Sequence, residues 1–140
     1  FALIIIVSRP LVGKVYARYG SKFIIYPGLG LFILGLFGLG LATTPMAIIF
    51  TAPLLGLGYG AAQPAFQALA IQSAPIERAG VSTATYFLAL DISVGAGSII
   101  LALLANALGY QYLYIIAALV MVVALGLYHV WIKKYTPLEI

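Results

Sequence analysis

The chain has no cysteine, which excludes disulfides and thiolate metal sites. Acid is almost as scarce. Glu77, Asp91 and Glu139 are the only carboxylates, His129 is the one histidine, and all four stand far apart. So sparse a set makes neither a metal cluster nor a hydrolytic pair, and Ser8, Ser82 and Ser98 have no base nearby to activate them. Gly56-Leu-Gly-Tyr-Gly60 is not a phosphate loop, because no strand precedes it. Gly13-Lys14 lacks the following Ser or Thr and the upstream glycine of a nucleotide-binding loop. These absences leave no enzyme chemistry, and nothing calls for a cofactor or a metal. Charge of either sign is rare as well: 7% of residues are charged, and residues 23–76 carry no charge at all.

What fills the sequence instead is apolar: 64% of its 140 residues are hydrophobic. A soluble domain of this size cannot keep that much apolar surface from water, so the solvent is expected to be lipid. The net charge of +4 is not a nucleic-acid signal. The basic residues sit beside apolar runs and lack the solvated face a groove binder needs. Phe1–Val7 is a half-length apolar run without the basic leader or small-residue cleavage site of a signal peptide. It reads as the cut end of a helix, and the chain as a fragment of a longer protein.

Turn signals and run lengths predict one truncated and four complete spans. Residues 1–17 descend to a basic loop ended by Gly20, a natural helix terminator. Residues 23–42 supply the ~20 apolar residues that a crossing requires, and Thr43-Thr44-Pro45 stops them. Residues 46–72 cross back to the turn Ser73–Arg78, where Pro75 suits a first helical position. Residues 79–107 cross again, residues 106–111 turn, and residues 112–132 make the last span before Lys133 and Lys134. All seven positive charges fall in the loops at 9–22, 75–78 and 133–134, and none in the two intervening turns. That alternation is expected of a multi-pass protein whose charged face is cytoplasmic. Tyrosines and Trp131 gather at both water boundaries, as aromatic belts do.

The spans differ in kind. Residues 23–42 and 112–132 have no strongly polar side chain in their middles and are expected to face lipid over much of their surface. The two between them are expected inside the bundle. In 46–72, Tyr59, Gln63, Phe66 and Gln67 follow i, i+4, i+7, i+8 and share a face. In 79–107, Phe87, Asp91, Gly95 and Ser98 share a face, while Thr85, Ala89, Ser93 and Gly97 form a ridge of small residues that permits close helix approach. An ionised mid-helix carboxylate costs about 2.5–3.5 kcal/mol on insertion scales, so Asp91 is the candidate for a substrate or proton pathway. The alternative is a neutral or salt-bridged structural Asp. Counting ~1.5 Å per residue from the charged turn puts Asp91 about 18 Å deep and Gln63 about 15 Å, depths at which they would line one cavity. Gln63 and Gln67 serve equally well as interhelical glue. Arg9 either reaches up to Asp91 or substrate, or snorkels to the headgroups. Pro53 and Pro64, with Gly56, Gly58 and Gly60, mark either a gating bend or tight packing.

At this point the residues bring a family into view. Arg9-Pro10-x-x-Gly13-x-x-x-x-Arg18-x-Gly20-x-Lys22 resembles the loop motif of the major facilitator superfamily, in the copy between its eighth and ninth helices. Gly56-x-Gly58-x-Gly60-x-x-x-Pro64 followed by Pro75-x-x-Arg78-x-Gly80 is similar to the tenth helix and its exit turn in the drug:proton antiporter branch. Tyr86-Phe87-x-x-x-Asp91 with Gly95-x-Gly97-Ser98 is similar to the eleventh. The resemblance implies an all-α integral membrane protein, a twelve-helix transporter bundle of which this chain is most of the second half. Helices 46–72 and 79–107 would line its cavity, and the missing N-terminal half would be a partner. It further implies alternating-access transport of a small organic solute, in the manner of proton-coupled efflux, with membrane lipid as the surroundings. One departure stands out: Ala17 occupies the place of the family's acidic residue before Arg18, which puts the family's charge latch at this loop in doubt. A non-transporting scaffold or sensor that assembles through the small ridges is the other reading, and the fragment by itself is expected to be inactive.

Overall fold

A computed structural model describes residues 2–135, apart from the side chains of Ala2, Ile4, Ile5, Ser8, Arg9 and Tyr135. The expectation for the Arg9 side chain therefore lies outside the described residues. Every regular element is helical: α1 (Ala2–Tyr19), α2 (Lys22–Leu41), α3 (Pro45–Gln72), a single 3-10 turn (Ile76–Arg78), α4 (Ala79–Leu108) and α5 (Tyr110–Tyr135). Among the described residues four stretches are long and apolar enough to cross a membrane: Lys22–Leu41, Pro45–Gln72, Ile76–Leu108 and Tyr110–Lys134.

The boundaries follow from local chemistry. Gly20 ends α1 at φ +81° and its N–H donates to the Tyr16 carbonyl at 3.0 Å. Thr44 caps α3, accepting from the Ala47 N–H at 3.4 Å, with Pro45 in the first turn where its missing donor costs nothing. The turn between α4 and α5 is shorter than the predicted 106–111. Helix runs through Leu108 and resumes at Tyr110, with Gly109 alone between them at φ 87°, ψ 164°. Only glycine occupies that backbone region readily, so one residue suffices to reverse the chain. Pro53 and Pro64 lie inside α3 without interrupting it.

Antiparallel alternation brings the charged segments to one end of the bundle. There the Tyr16 hydroxyl donates to Gln72 Oε1 at 3.0 Å, joining the ends of α1 and α3. The Tyr26 hydroxyl meets His129 Nδ1 at 2.7 Å, joining the start of α2 to the end of α5. Ser82 Oγ donates to the Ala70 carbonyl at 2.6 Å, joining α4 to α3.

The packing order corrects one expectation. The helix expected to face lipid, α2, is the most enclosed, lying against both α3 and α5. Ile24, Ile25 and Leu29 pack with Ala62 and Ala65 of α3 and with Tyr128 and Ile132 of α5. The cause is its glycines. A Cβ on Gly58 of α3 would stand 2.6 Å from the Phe32 nitrogen and 2.7 Å from the Gly28 carbonyl oxygen, and one on Gly40 would stand 2.7 Å from Ile115 of α5. In lipid there is no apolar driving force between helices, so such close backbone approach supplies the dispersion contacts that hold them. α4, expected inside, has no buried residue. Of its small-residue ridge, Thr85, Ala89 and Ser93 are exposed, and a Cβ on the half-buried Gly97 would meet nothing within 4 Å. α5 keeps Leu113, Ala118, Tyr128 and Ile132 buried and exposes much of the rest.

Candidate functional site: a cleft along the third helix

Two hollows flank α3 near mid-span, and Gln63 lines both. The first, about 220 Å³, lies where α2, α3, α4 and α5 meet. Tyr59, Gln63 and Phe66 of α3 face Phe32 of α2, Tyr86 and Leu90 of α4, and Met121 of α5 there. It is aromatic: the Phe32 and Tyr59 ring centroids are 6.1 Å apart, and Phe66 meets Tyr128 edge-on at 5.6 Å. The second, about 260 Å³, lies between α1 and α3 and is more polar, with Gln63 and Gln67 opposite Gly13 and Tyr16.

The residues expected to share a face of α3 are divided between two hollows. At 100° per residue, Phe66 and Gln67 diverge by that angle, and Gln63 falls between them. Phe66 serves the aromatic cleft, Gln67 the polar one and Gln63 both. Tyr59 and Phe66 would offer apolar and edge-on contacts; the two amides would offer donors and acceptors to a polar group.

On α4 the structure departs from expectation by one residue. The side that meets α3 runs Ser82, Tyr86, Leu90, at i, i+4, i+8, and not Phe87, Asp91, Gly95. The Tyr86 hydroxyl donates to the Gln63 backbone carbonyl at 3.2 Å, fixing this rotation. Phe87 is exposed, stacked edge-on against Tyr86 at 5.7 Å. Asp91 is exposed, lies outside the cleft and makes no hydrogen bond or ion pair with a described residue. The chain by itself thus does not place Asp91 and Gln63 in one cavity. The residue that sequence reasoning left out of the site is Tyr86. The signal for it was its place four residues after Ser82 and four before Leu90, a period-matched set with polar members facing α3.

The loop motif is distributed along the charged end. Gly13 faces the polar hollow, Arg18 lies in the last turn of α1, Gly20 carries the positive φ and Lys22 opens α2. Neither Arg18 nor Lys22 makes an ion pair with a described residue. Among the described residues no group of three or more His, Cys, Asp or Glu side chains is placed to hold a metal ion.

A bundle of long apolar helices, charged at one end and hollowed beside a polar stripe, defines a helical membrane protein. The family model described as Major Facilitator Superfamily matches residues 1–139, and the chain belongs to that family. It is 32% identical over 109 residues to an uncharacterized MFS-type transporter, YhhS, of Escherichia coli O6:H1, an alignment covering 77% of this chain and 26% of the relative. The K12 strain's YhhS is 31% identical over 107 residues, 76% of this chain and 26% of the relative. That of Salmonella enteritidis is 27% identical over 137 residues, 98% of this chain and 33% of the relative. The chain thus spans about a quarter to a third of the length of these relatives. No solved structure matches it.

Proposed function

We propose that the chain forms most of the C-terminal half of a twelve-helix secondary transporter, moving a small organic solute by alternating access. The observation that carries this is the cleft beside α3, where Tyr59, Phe66 and Tyr86 surround Gln63 next to a helix, α4, that exposes its polar face. An aromatic wall with one amide suits an amphipathic solute, since it binds apolar bulk broadly and orients a single polar group. In this reading Asp91, with Phe87 beside it, faces the N-terminal half across the central cavity, and its carboxyl takes up the coupling proton. Coupling to protons, export as the direction, and the drug:proton antiporter branch all rest on that acid and on the motifs at 56–64 and 86–98. The loops at 9–22 and 75–78 and the C-terminus would then be cytoplasmic, in a cell membrane, as the excess of basic residues there favours.

The test is Asp91→Asn in the full-length carrier that contains this segment, reconstituted in vesicles with a pH dye inside. Solute addition should move protons in the native protein, and the variant should lose that movement while still binding solute. Undiminished transport with an unchanged pH dependence would remove Asp91 from the mechanism. Absence of any solute-driven flux in the native carrier would favour the scaffold reading, which the uncovered ridge Thr85–Ala89–Ser93–Gly97 also suits.

A further inference from the structure

A third hollow, the largest of the three at about 810 Å³, opens between α3, α4 and α5 at the charged end. Its charge is one-ended. Phe66, Leu69, Ala70 and Leu127 line its depth with Tyr86 and Tyr128, while Trp131, Lys134 and Ser73 stand towards the end where the helices finish. From Lys134 to Leu127 is two turns of α5, about 10 Å along the axis. The Ser73 hydroxyl already donates to the Ala70 carbonyl at 2.9 Å, so the charge at the mouth comes from lysine. Lys133 precedes it on the same turn of α5, and Arg78 stands before α4 at the same end, in a turn whose single acid is Glu77.

We propose that this wedge is a binding site for an anionic phospholipid, the headgroup at Lys134 and an acyl chain lying between α4 and α5 along Leu127 and Trp131. The Tyr86 and Tyr128 hydroxyls also line the hollow, the first already donating to the Gln63 carbonyl. Two features favour a lipid over a soluble ligand. The charge sits only at the level where a headgroup lies. Trp131, 40% exposed, lies at that boundary, where indole rings settle. Basic pockets between membrane helices attract acidic headgroups, each cation contributing about 1 kcal/mol near the surface, which corresponds to roughly five-fold in affinity. The site is independent of the transport reading and requires only that the helices be membrane-embedded.

Trp131 is the chain's sole tryptophan and so reports on the wedge directly. The chain is reconstituted in phosphatidylcholine vesicles containing a minor share of dibrominated phosphatidylglycerol or, in parallel, of dibrominated phosphatidylcholine, and Trp131 quenching is compared. The anionic quencher should be selected about five-fold over the zwitterionic one. Lys134→Gln should reduce that selectivity towards one, Lys134→Arg should retain it, and Ala70→Phe, which fills the wedge, should lower quenching by both lipids. Lys14→Gln, on α1, should leave it intact. Equal quenching by the two lipids in the native chain would overturn the proposal. So would selectivity that survives Lys134→Gln, or that Lys14→Gln lowers equally, since either would mark diffuse attraction to a basic surface. Far-UV circular dichroism of each variant confirms that the helices are intact.

Discussion

Replacing Gly58 with alanine is the sharpest test of how this bundle is held. The new Cβ would lie 2.6 Å from the Phe32 nitrogen and 2.7 Å from the Gly28 carbonyl oxygen, about 0.8 Å short of ordinary contact. Both atoms are backbone, so no side-chain rotation relieves the overlap, and α2 must move away from α3. That movement loosens Ile25 and Leu29 against Ala62 and Ala65, in the best-packed part of the structure. Overpacking of this kind costs typically 1–3 kcal/mol, and the rigidity of the opposing atoms places Gly58→Ala at the upper end. Alanine recovers up to about 1 kcal/mol of helix propensity, which leaves a net loss of about 1–2 kcal/mol. Two further glycines calibrate the figure. A Cβ on Gly28 meets its nearest neighbours at 3.3–3.4 Å, tight but tolerable, so clash and propensity should nearly cancel. One on Gly30 meets nothing within 4 Å, so Gly30→Ala should be neutral or stabilising. Unfolding of the chain in mixed micelles by titration with sodium dodecyl sulfate, followed by Trp131 fluorescence and far-UV circular dichroism, gives the order. Gly58→Ala as stable as the native chain, or Gly30→Ala equally damaging, would refute the argument that backbone proximity sets the packing.

Two smaller effects should appear in the same titration. Tyr86→Phe removes the hydrogen bond to the Gln63 carbonyl and should cost about 0.6 kcal/mol, the average for such bonds between membrane helices; no change would mean that α4 is oriented by something else. Gly109→Ala and Gly109→Asn should both lose about 1–3 kcal/mol, because φ 87° with ψ 164° lies outside even the region asparagine tolerates; rescue by asparagine would show that the turn relaxes to an ordinary left-handed one.

The helices were legible because each boundary is written in a single residue type: glycine at 20, proline at 45, the basic residues at 78 and 133–134. The charge asymmetry was equally plain, and folding brings those segments to one end through Tyr16–Gln72, Tyr26–His129 and Ser82–Ala70. Which described helix is most enclosed was less legible, for a physical reason. Polar side chains mark a helix that can face a cavity, whereas α2 packs through what it lacks. Gly28, Gly35 and Gly38 admit α3, and Gly40 admits α5. The 28–35 interval, two helical turns on one face, was the available signal. The α4 face was missed by one residue because a lone acid outweighed a period of weaker cues. Ser82, Tyr86 and Leu90 are individually unremarkable, and only their spacing carries information.

The exposure of α4 follows from the same logic. Between helices in lipid the attraction is packing and hydrogen bonding, since hydrocarbon tails are as apolar as leucine. Among the described residues α4 is hydrogen-bonded to α3 through Ser82 and Tyr86, both in its first turns. Its remaining length presents Asp91, Ser93, Gly95 and Ser98 to the outside. A carboxylate there is unfavourable against lipid by about 2.5–3.5 kcal/mol. Small residues exposed to lipid likewise forgo the close contacts they permit. On the proposed reading, the polar and small positions on two sides of this helix mark a surface that a partner would complete. The relatives' greater length leaves room for that partner to be another part of the same protein. If so, the cleft beside Gln63 is one wall of a cavity, and Asp91 belongs to the face that closes it.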